Sequence, residues 1–297
     1  MTPRDVFLAI AAAAAWGFSF VVIRLGLGEL PPLLFAALRF TLVAPWALLL
    51  PPPDVRARLV VITGLSLGVA QFGLLFVAID IGMPAGIASV VLQAQVPMTI
   101  LFARLTLAER PTAAAVAGCA VSTAGLAMIG IDRATSTGIV RFALVIGAGA
   151  GWAVCNIAIR AAQPQRPLSL IVWSSLVSPV PLILLALLFE GPTAIGLALG
   201  RLTAGAIAAV LYVSLIATIG AFGVWSALLR RHPAHVVAPF ALLVPVVGLL
   251  GTWAMLGEQP PGLELGGSAL VLAGVGIASD LRGRVARAPA TPGRSTI

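Results

Sequence analysis

Trp16-Gly17-Phe18-Ser19-Phe20-Val21-Val22-Ile23-Arg24 returns later in the chain as Trp152-Ala153-Val154-Cys155-Asn156-Ile157-Ala158-Ile159-Arg160. The offset of 136 also carries Pro31 onto Pro167 and Pro45 onto Pro181. Further along the offset becomes 149, and it maps Pro84 onto Pro233, Glu109 onto Glu258, Pro111 onto Pro260, Gly118 onto Gly267 and Gly125 onto Gly274. The extra residues fit an insertion near Pro192–Thr203. A single match in apolar sequence is coincidence; eight in order at two offsets read as a duplication.

Working outward, each copy has room for five apolar segments, and five is odd. If every segment crosses a membrane, the second copy starts on the opposite side from the first, so the two are inverted. Inverted repeats are a common construction of secondary transporters, with the substrate site near the midplane between the repeats. Rocking one repeat against the other then gives alternating access.

Composition supports the membrane. Of 297 residues, 60% are hydrophobic and only 9% charged, with a mean hydropathy of +1.09. A soluble domain carries about 25% charged residues. A spanning helix takes roughly 20 apolar residues, so the length suits ten spans with short loops and no separate soluble domain. The expected spans are Phe7–Gly28, Pro32–Leu50, Leu59–Ile81, Pro84–Leu107, Ala113–Ile131, Arg141–Ala161, Leu168–Phe189, Leu202–Leu229, Pro233–Leu256 and Leu263–Ala278. Most gaps carry Pro or Gly, as in Pro51-Pro52-Pro53 and Gln259-Pro260-Pro261. The first apolar run is followed by no small-residue cleavage site and reads as a retained helix. The expected organisation is an all-α membrane protein with a first five-helix repeat at 1–132, a second at 133–281, and a disordered cytoplasmic tail at 282–297, rich in Arg, Pro and Gly.

Every basic residue is Arg; Lys is absent. The net charge of +8 does not point to nucleic acid, because the arginines are scattered singly between apolar runs. With both termini cytoplasmic, 13 of the 18 arginines fall at cytoplasmic ends and five (Arg24, Arg39, Arg133, Arg141, Arg201) elsewhere. That asymmetry supports the orientation and an even helix count. Cys119 and Cys155 match no metal or redox spacing and read as small core residues. His232 and His235 are the only histidines; no Cys or carboxylate lies near them in sequence, so a loop and helix-start role fits better than a metal.

With the repeat, the Trp16-Gly17 opening, Leu38-Arg39-Phe40 and the span-ending Leu-x-Glu within Leu105–Arg110 and Leu256–Gln259 in view, the chain resembles the EamA family of the drug/metabolite transporter superfamily over nearly its whole length. Gly82-Met83-Pro84-Ala85-Gly86-Ile87-Ala88-Ser89-Val90-Val91-Leu92-Gln93-Ala94-Gln95, together with Ala70-Gln71-Phe72 and Leu243–Leu249, looks most like the O-acetylserine/cysteine exporter branch. Aromatic amino-acid exporters are more distant relatives. The resemblance implies a ten-helix exporter of amino acids or related metabolites in a bacterial inner membrane, with a central cavity between the halves.

Polar groups inside the spans are few. Arg39 sits about eight residues into the second span, roughly 12 Å along the helix axis. A charge there is costly and needs a partner. Two roles fit: receiving a substrate carboxylate, or tying helices through backbone carbonyls. Pro97 has no N–H, so it frees the carbonyl of Gln93; a free carbonyl and an amide in one turn suit an ammonium group, and a packing kink is the competing reading. Ser89 and Gln93 share a face, whereas Gln95 points nearly opposite. Pro239 and Pro245 free the carbonyls of His235 and Ala241. Gln71 is a third amide expected near the cavity. Trp16, Trp152, Trp173, Trp225 and Tyr212 are expected to wall it, with Asn156 on the face of Trp152. Trp46 reads as an interface residue. Glu109 and Glu258 are expected to hold the turns into spans five and ten. Gly118, Ser122 and Gly125 make a small-residue stripe repeated at Gly267 and Gly274, which suits packing of the halves or of two protomers.

A membrane enzyme would need a base near a nucleophile, and no span holds a His near a Ser or an acid at mid-depth. A scaffold would not require a kinked repeat dotted with polar groups. Without a buried acid, transport reads as facilitative; proton antiport through Asp80 is the alternative. The implied partners are a small-molecule substrate and lipid, with no nucleic acid, cofactor or metal, and a monomer satisfies them.

Overall fold

The computed structural model describes residues 1–108, 111–132, 136–232 and 237–278. Within them every regular element is helical. Eight helices are long and apolar enough to cross a membrane: α1 (Pro3–Leu27), α2 (Pro32–Leu49), α3 (Ala57–Asp80), α4 (Ala85–Thr106), α5 (Ala113–Asp132), α6 (Ser136–Ala162), α7 (Pro167–Phe189) and α9 (Ala204–Arg231). Two shorter apolar helices follow, α10 (Phe240–Leu256) and α11 (Gly262–Ala278). The stretch expected to hold the insertion forms one more short helix, α8 (Pro192–Gly200), with no buried residue. Glu109, Pro233, His235 and the tail from residue 279 lie outside the described residues.

The helices start where their sequence allows. Thr2 and Asp5 form a reciprocal capping box ahead of α1, with Pro3 in its first turn. Pro32, Pro167 and Pro192 open α2, α7 and α8, a position where the missing N–H is no loss. The outer faces are bare hydrocarbon: Leu48, Leu188 and Phe189 are each more than 70% exposed. Such a surface suits lipid and not water.

Helices from the two sequence repeats interleave, with α1 packed on α10, α3 on α6, α2 on α7 and α5 on α11. The α5–α11 contact is the closest. A Cβ added at Gly118 would come within 2.4 Å of the Gly274 carbonyl oxygen, and one at Gly125 within 2.5 Å of that of Gly267. Ser122 Oγ donates across the seam to the Val271 carbonyl at 3.2 Å. The stripe therefore packs one repeat on the other inside a single chain.

Several spans depart from α geometry. α2 ends as a 3₁₀ segment from Ala44, with Pro45 in its first turn. α4 is broken by a 3₁₀ turn at Leu92–Ala94, after which the helix restarts with Pro97 in its first turn. Pro239 falls in a 3₁₀ segment, Ala238–Leu242, and Pro245 in the first turn of the helix that follows. α3 and α9 each contain a nine-residue π-helical segment, Leu65–Gly73 and Tyr212–Gly220. π segments are rare and occur frequently at functional sites.

Candidate functional site

Three of these irregular stretches, Leu65–Gly73, Leu92–Ala94 and Ala238–Leu242, contribute to one cavity of about 230 Å³. That lies below the roughly 300–1,000 Å³ of drug-sized pockets and suits a small metabolite. α3 supplies Leu67, Gln71, Phe72 and Leu75; α2 supplies Arg39; α4 supplies Ser89, Leu92, Gln93 and Gln95. From later in the chain come Trp152 and Asn156 of α6, Phe222 and Trp225 of α9, and Ala241 and Val244 at the start of α10. Trp16, Ser19, Phe20 and Ile23 of α1 complete the wall.

Among the described residues Arg39 is the only charged one in this lining, and it is 2% exposed. Its Nε and Nη2 both donate to Thr218 Oγ1, at 3.2 and 2.9 Å. The Thr218 hydroxyl in turn donates to the Val213 carbonyl at 2.8 Å. The guanidinium lies over Phe72, 3.7 Å from the ring centroid, in cation–π contact. The backbone carbonyl of Arg39 accepts from Ser214 Oγ at 3.1 Å. Side chains of the two π segments, one on each side, thus fix the arginine. Among the described residues its Nη1 has no hydrogen-bond partner, and neither has Gln71 Oε1.

The lining differs from the sequence expectation at three points. Gln95 joins Gln93 in the lining. An α-helix would set them nearly opposite, but the 3₁₀ turn winds at about three residues per turn and so reduces their angular separation. Asn156 Nδ2 donates to Gln95 Oε1 at 2.8 Å and to Thr99 Oγ1 at 3.2 Å, locking α6 to α4. Trp173 lies elsewhere: its indole N–H donates to the Leu50 carbonyl at 3.2 Å, serving a chain end that the following Pro51-Pro52-Pro53 cannot serve. Tyr212 also stays outside the lining; its hydroxyl donates to the Ala15 carbonyl at 2.9 Å and its ring packs edge-on against Phe18. Trp16 and Trp225 do reach the cavity, 5.3 Å apart, with the Trp16 N–H on the Ala217 carbonyl at 2.7 Å.

The two ends of the molecule differ. At the end where α2 and α4 begin, two carboxylates cap helices from other parts of the chain. Glu190 accepts from the amides of Leu33 and Leu34 at 2.5 and 3.1 Å, and Glu258 from those of Ala85 and Gly86 at 3.1 and 3.0 Å. Glu258 therefore serves span four and not the turn into span ten; Gly257, in left-handed geometry at φ 68°, turns it back toward α4. Burial raises the Glu190 pKa from its ordinary value, with a smaller push from Asp80, while the two amide bonds oppose that rise. Asp80 itself is exposed at the end of α3, away from the cavity. At the other end Asp5 accepts from His232 at 3.0 Å. Along α4, every residue from 85 to 94 is buried and every residue from 95 to 100 is partly exposed. The structure is tight on the Glu190/Glu258 side and looser toward the N-terminal end.

Sequence reasoning missed Thr218, Phe72 as a support for Arg39, and the fully buried Glu264. Phe72 follows Gln71 in a stretch already singled out. The only signal for Thr218 was scarcity: with Ser214 and Tyr212 it is one of three side chains able to hydrogen-bond in its segment.

Comparison with known proteins agrees with this architecture. A probable amino-acid metabolite efflux pump of Salmonella typhimurium is 39% identical over 283 residues, which cover 93% of this chain and 94% of that protein. A protein of Escherichia coli K12 described in the same words is 37% identical over 251 residues, 82% of this chain and 84% of its own length. A solved crystal structure superposes with a TM-score of 0.63 over 96% of this chain and all of its own, at 20% identity, a likeness of fold alone. The description of the EamA-like transporter family matches twice, at residues 4–131 and 141–279, and the chain belongs to that family.

Proposed function

We propose that this protein exports amino acids and closely related small metabolites across a bacterial inner membrane by alternating access. In this reading ten helices span the membrane as two inverted repeats, 1–132 and 133–281, with both termini and the tail at 282–297 in the cytoplasm. The observation that carries it is one cavity walled by helices from both halves of the chain, beside an α4 that is buried along its first half and partly exposed beyond Ala94. An opening toward the N-terminal end would make this an inward-facing state. The relatives described as amino-acid metabolite efflux pumps support the substrate class, and the stretch from Gly82 to Gln95 favours the O-acetylserine/cysteine branch. The substrate site comprises Arg39, Gln71, Ser89, Gln93, Trp152, Asn156 and Trp225, on spans bent by Pro97, Pro239 and Pro245.

The cavity lining has no acidic side chain among the described residues, which favours facilitative movement down the substrate gradient. A second reading, proton coupling, has one observation in its favour. Glu264 is fully buried beside Arg24 and Glu258 in a smaller cavity of about 170 Å³ at the capped end. Counterflow into liposomes holding only this protein tests both readings. A labelled amino acid should accumulate against preloaded unlabelled amino acid and ignore an imposed pH gradient. No exchange with any amino acid would end the exporter reading; a rate that follows the pH gradient, and loses that response in Glu264→Gln, would replace facilitation with coupling.

A further inference from the structure

The geometry points to Arg39 and Gln71 as a head-group subsite, Arg39 Nη1 receiving the substrate carboxylate and Gln71 Oε1 its ammonium group, so that the cavity accepts zwitterionic α-amino acids and rejects solutes with a second cation. This rests on the transport reading above and adds the chemistry that selects the substrate.

Both side chains line the cavity, both are at least 97% buried, and each has one polar atom that no protein group satisfies. Buried polar atoms are nearly always partnered, and an exception asks for an explanation. Here the two exceptions are complementary. Nη1 of a guanidinium can only donate, and the oxygen of an amide can only accept. An α-amino acid offers the matching pair: a carboxylate that only accepts and an ammonium that only donates.

The surroundings make the assignment specific. Thr218 occupies Nε and Nη2, and Phe72 covers one face of the guanidinium. Nη1 is what remains, so the arginine is held ready for one ligand atom and not spent on the fold. Two other polar groups of the lining are already engaged. Gln95 Oε1 is taken by Asn156, and Ser89 Oγ donates to the Gly86 carbonyl at 2.5 Å. Charge sets the exclusion. Arg39 is the single charge in the lining among the described residues. A carboxylate offsets it and the ammonium meets a neutral carbonyl. A further cation on the side chain would find only the arginine's repulsion, with no acid to answer it. The remaining wall, from Phe20 and Leu75 to Trp16, suits an uncharged side chain.

The test separates head-group reading from transport itself. The purified full chain is placed in liposomes, and counterflow of L-serine, L-cysteine and L-phenylalanine identifies a transported probe. Inhibition is then measured with that probe's carboxamide, which lacks the carboxylate, with its N-acetyl derivative, which lacks the ammonium, and with L-lysine. In wild type each competitor should bind about tenfold or more weaker than the parent amino acid, the scale of one hydrogen bond to a charged group. Gln71→Leu should erase the penalty on the N-acetyl derivative and keep that on the carboxamide; Arg39→Gln should do the reverse. If Arg39→Gln does not fold, Gln71→Leu and the wild-type ratios still decide. Unchanged ratios in a folded Gln71→Leu, or lysine competing as well as the parent, overturn the subsite while leaving transport standing. Absence of exchange with every probe removes the transport reading and the subsite with it.

Discussion

The π segments of α3 and α9 are alike in length and both reach Arg39, yet they treat their polar side chains in opposite ways. In Tyr212–Gly220 each hydroxyl is engaged: Tyr212 on Ala15, Ser214 on Arg39, and Thr218 between Arg39 and Val213. In Leu65–Gly73 Ser66 is bonded to the Ile62 carbonyl, but Gln71 is left with an unanswered oxygen. One segment builds and the other waits. Replacing a polar group by an apolar one of similar size should therefore have opposite consequences in the two segments. Losing one partner of a buried charge is costly, whereas removing an unsatisfied buried group is close to neutral or stabilising.

The comparison is sharpest at Thr218. Thr218→Val keeps the shape and removes the only hydrogen-bonding side chain seen on Arg39, so it should cost about 2–3 kcal/mol, the scale of hydrogen bonds to a charged group. Thermal unfolding in detergent measures this; wild-type stability would show that the arginine has another anchor. Phe72→Leu comes next, removing the ring under the guanidinium, and should cost about 1–2 kcal/mol from the lost cation–π contact and packing. An Arg39→Gln background should shrink that cost, since neighbours in one network are not additive; an unchanged cost would mean that Phe72 acts only by packing. Ser214→Ala removes a single bond to the Arg39 carbonyl and should cost about 1 kcal/mol. Gln71→Leu closes the series with a change near zero or in the stabilising direction. Destabilisation by Gln71→Leu comparable to that of Thr218→Val would dissolve the contrast between the segments.

Much of the architecture was legible in the chain because apolar length and Pro or Gly punctuation are local signals. The starts at Pro32, Ala113 and Pro167 fall within a residue of expectation. Arg39, Gln71 and Gln93 were legible as cavity residues for a simple reason: polar groups are so costly in lipid that each invites an explanation. What was not legible depends on helix geometry. No residue pattern announces a π segment, so the approach of Thr218 to Arg39 across two helices left no trace. The 3₁₀ turn at Leu92–Ala94 brought Gln95 into a lining from which an ideal α-helix excludes it. Trp173 and Tyr212 carried the right chemistry for a wall, but each had a backbone carbonyl to serve, which only the packing of other helices reveals.

The glycine seam between α5 and α11 has a consequence for how the chain is made. Ser122 and Val271, which meet across it, are 149 residues apart. At synthesis rates of about 5–20 residues per second, α5 precedes its partner by roughly 7–30 s. During that interval its stripe of small residues has only lipid tails against it, which cannot fill the grooves that another helix backbone fills. The seam therefore stays open until α11 emerges, and that helix closes a groove left when α5 was made. A ribosome that stalls within the second repeat would leave behind an inserted but unsealed protein, one that quality-control proteases could recognise by its open groove.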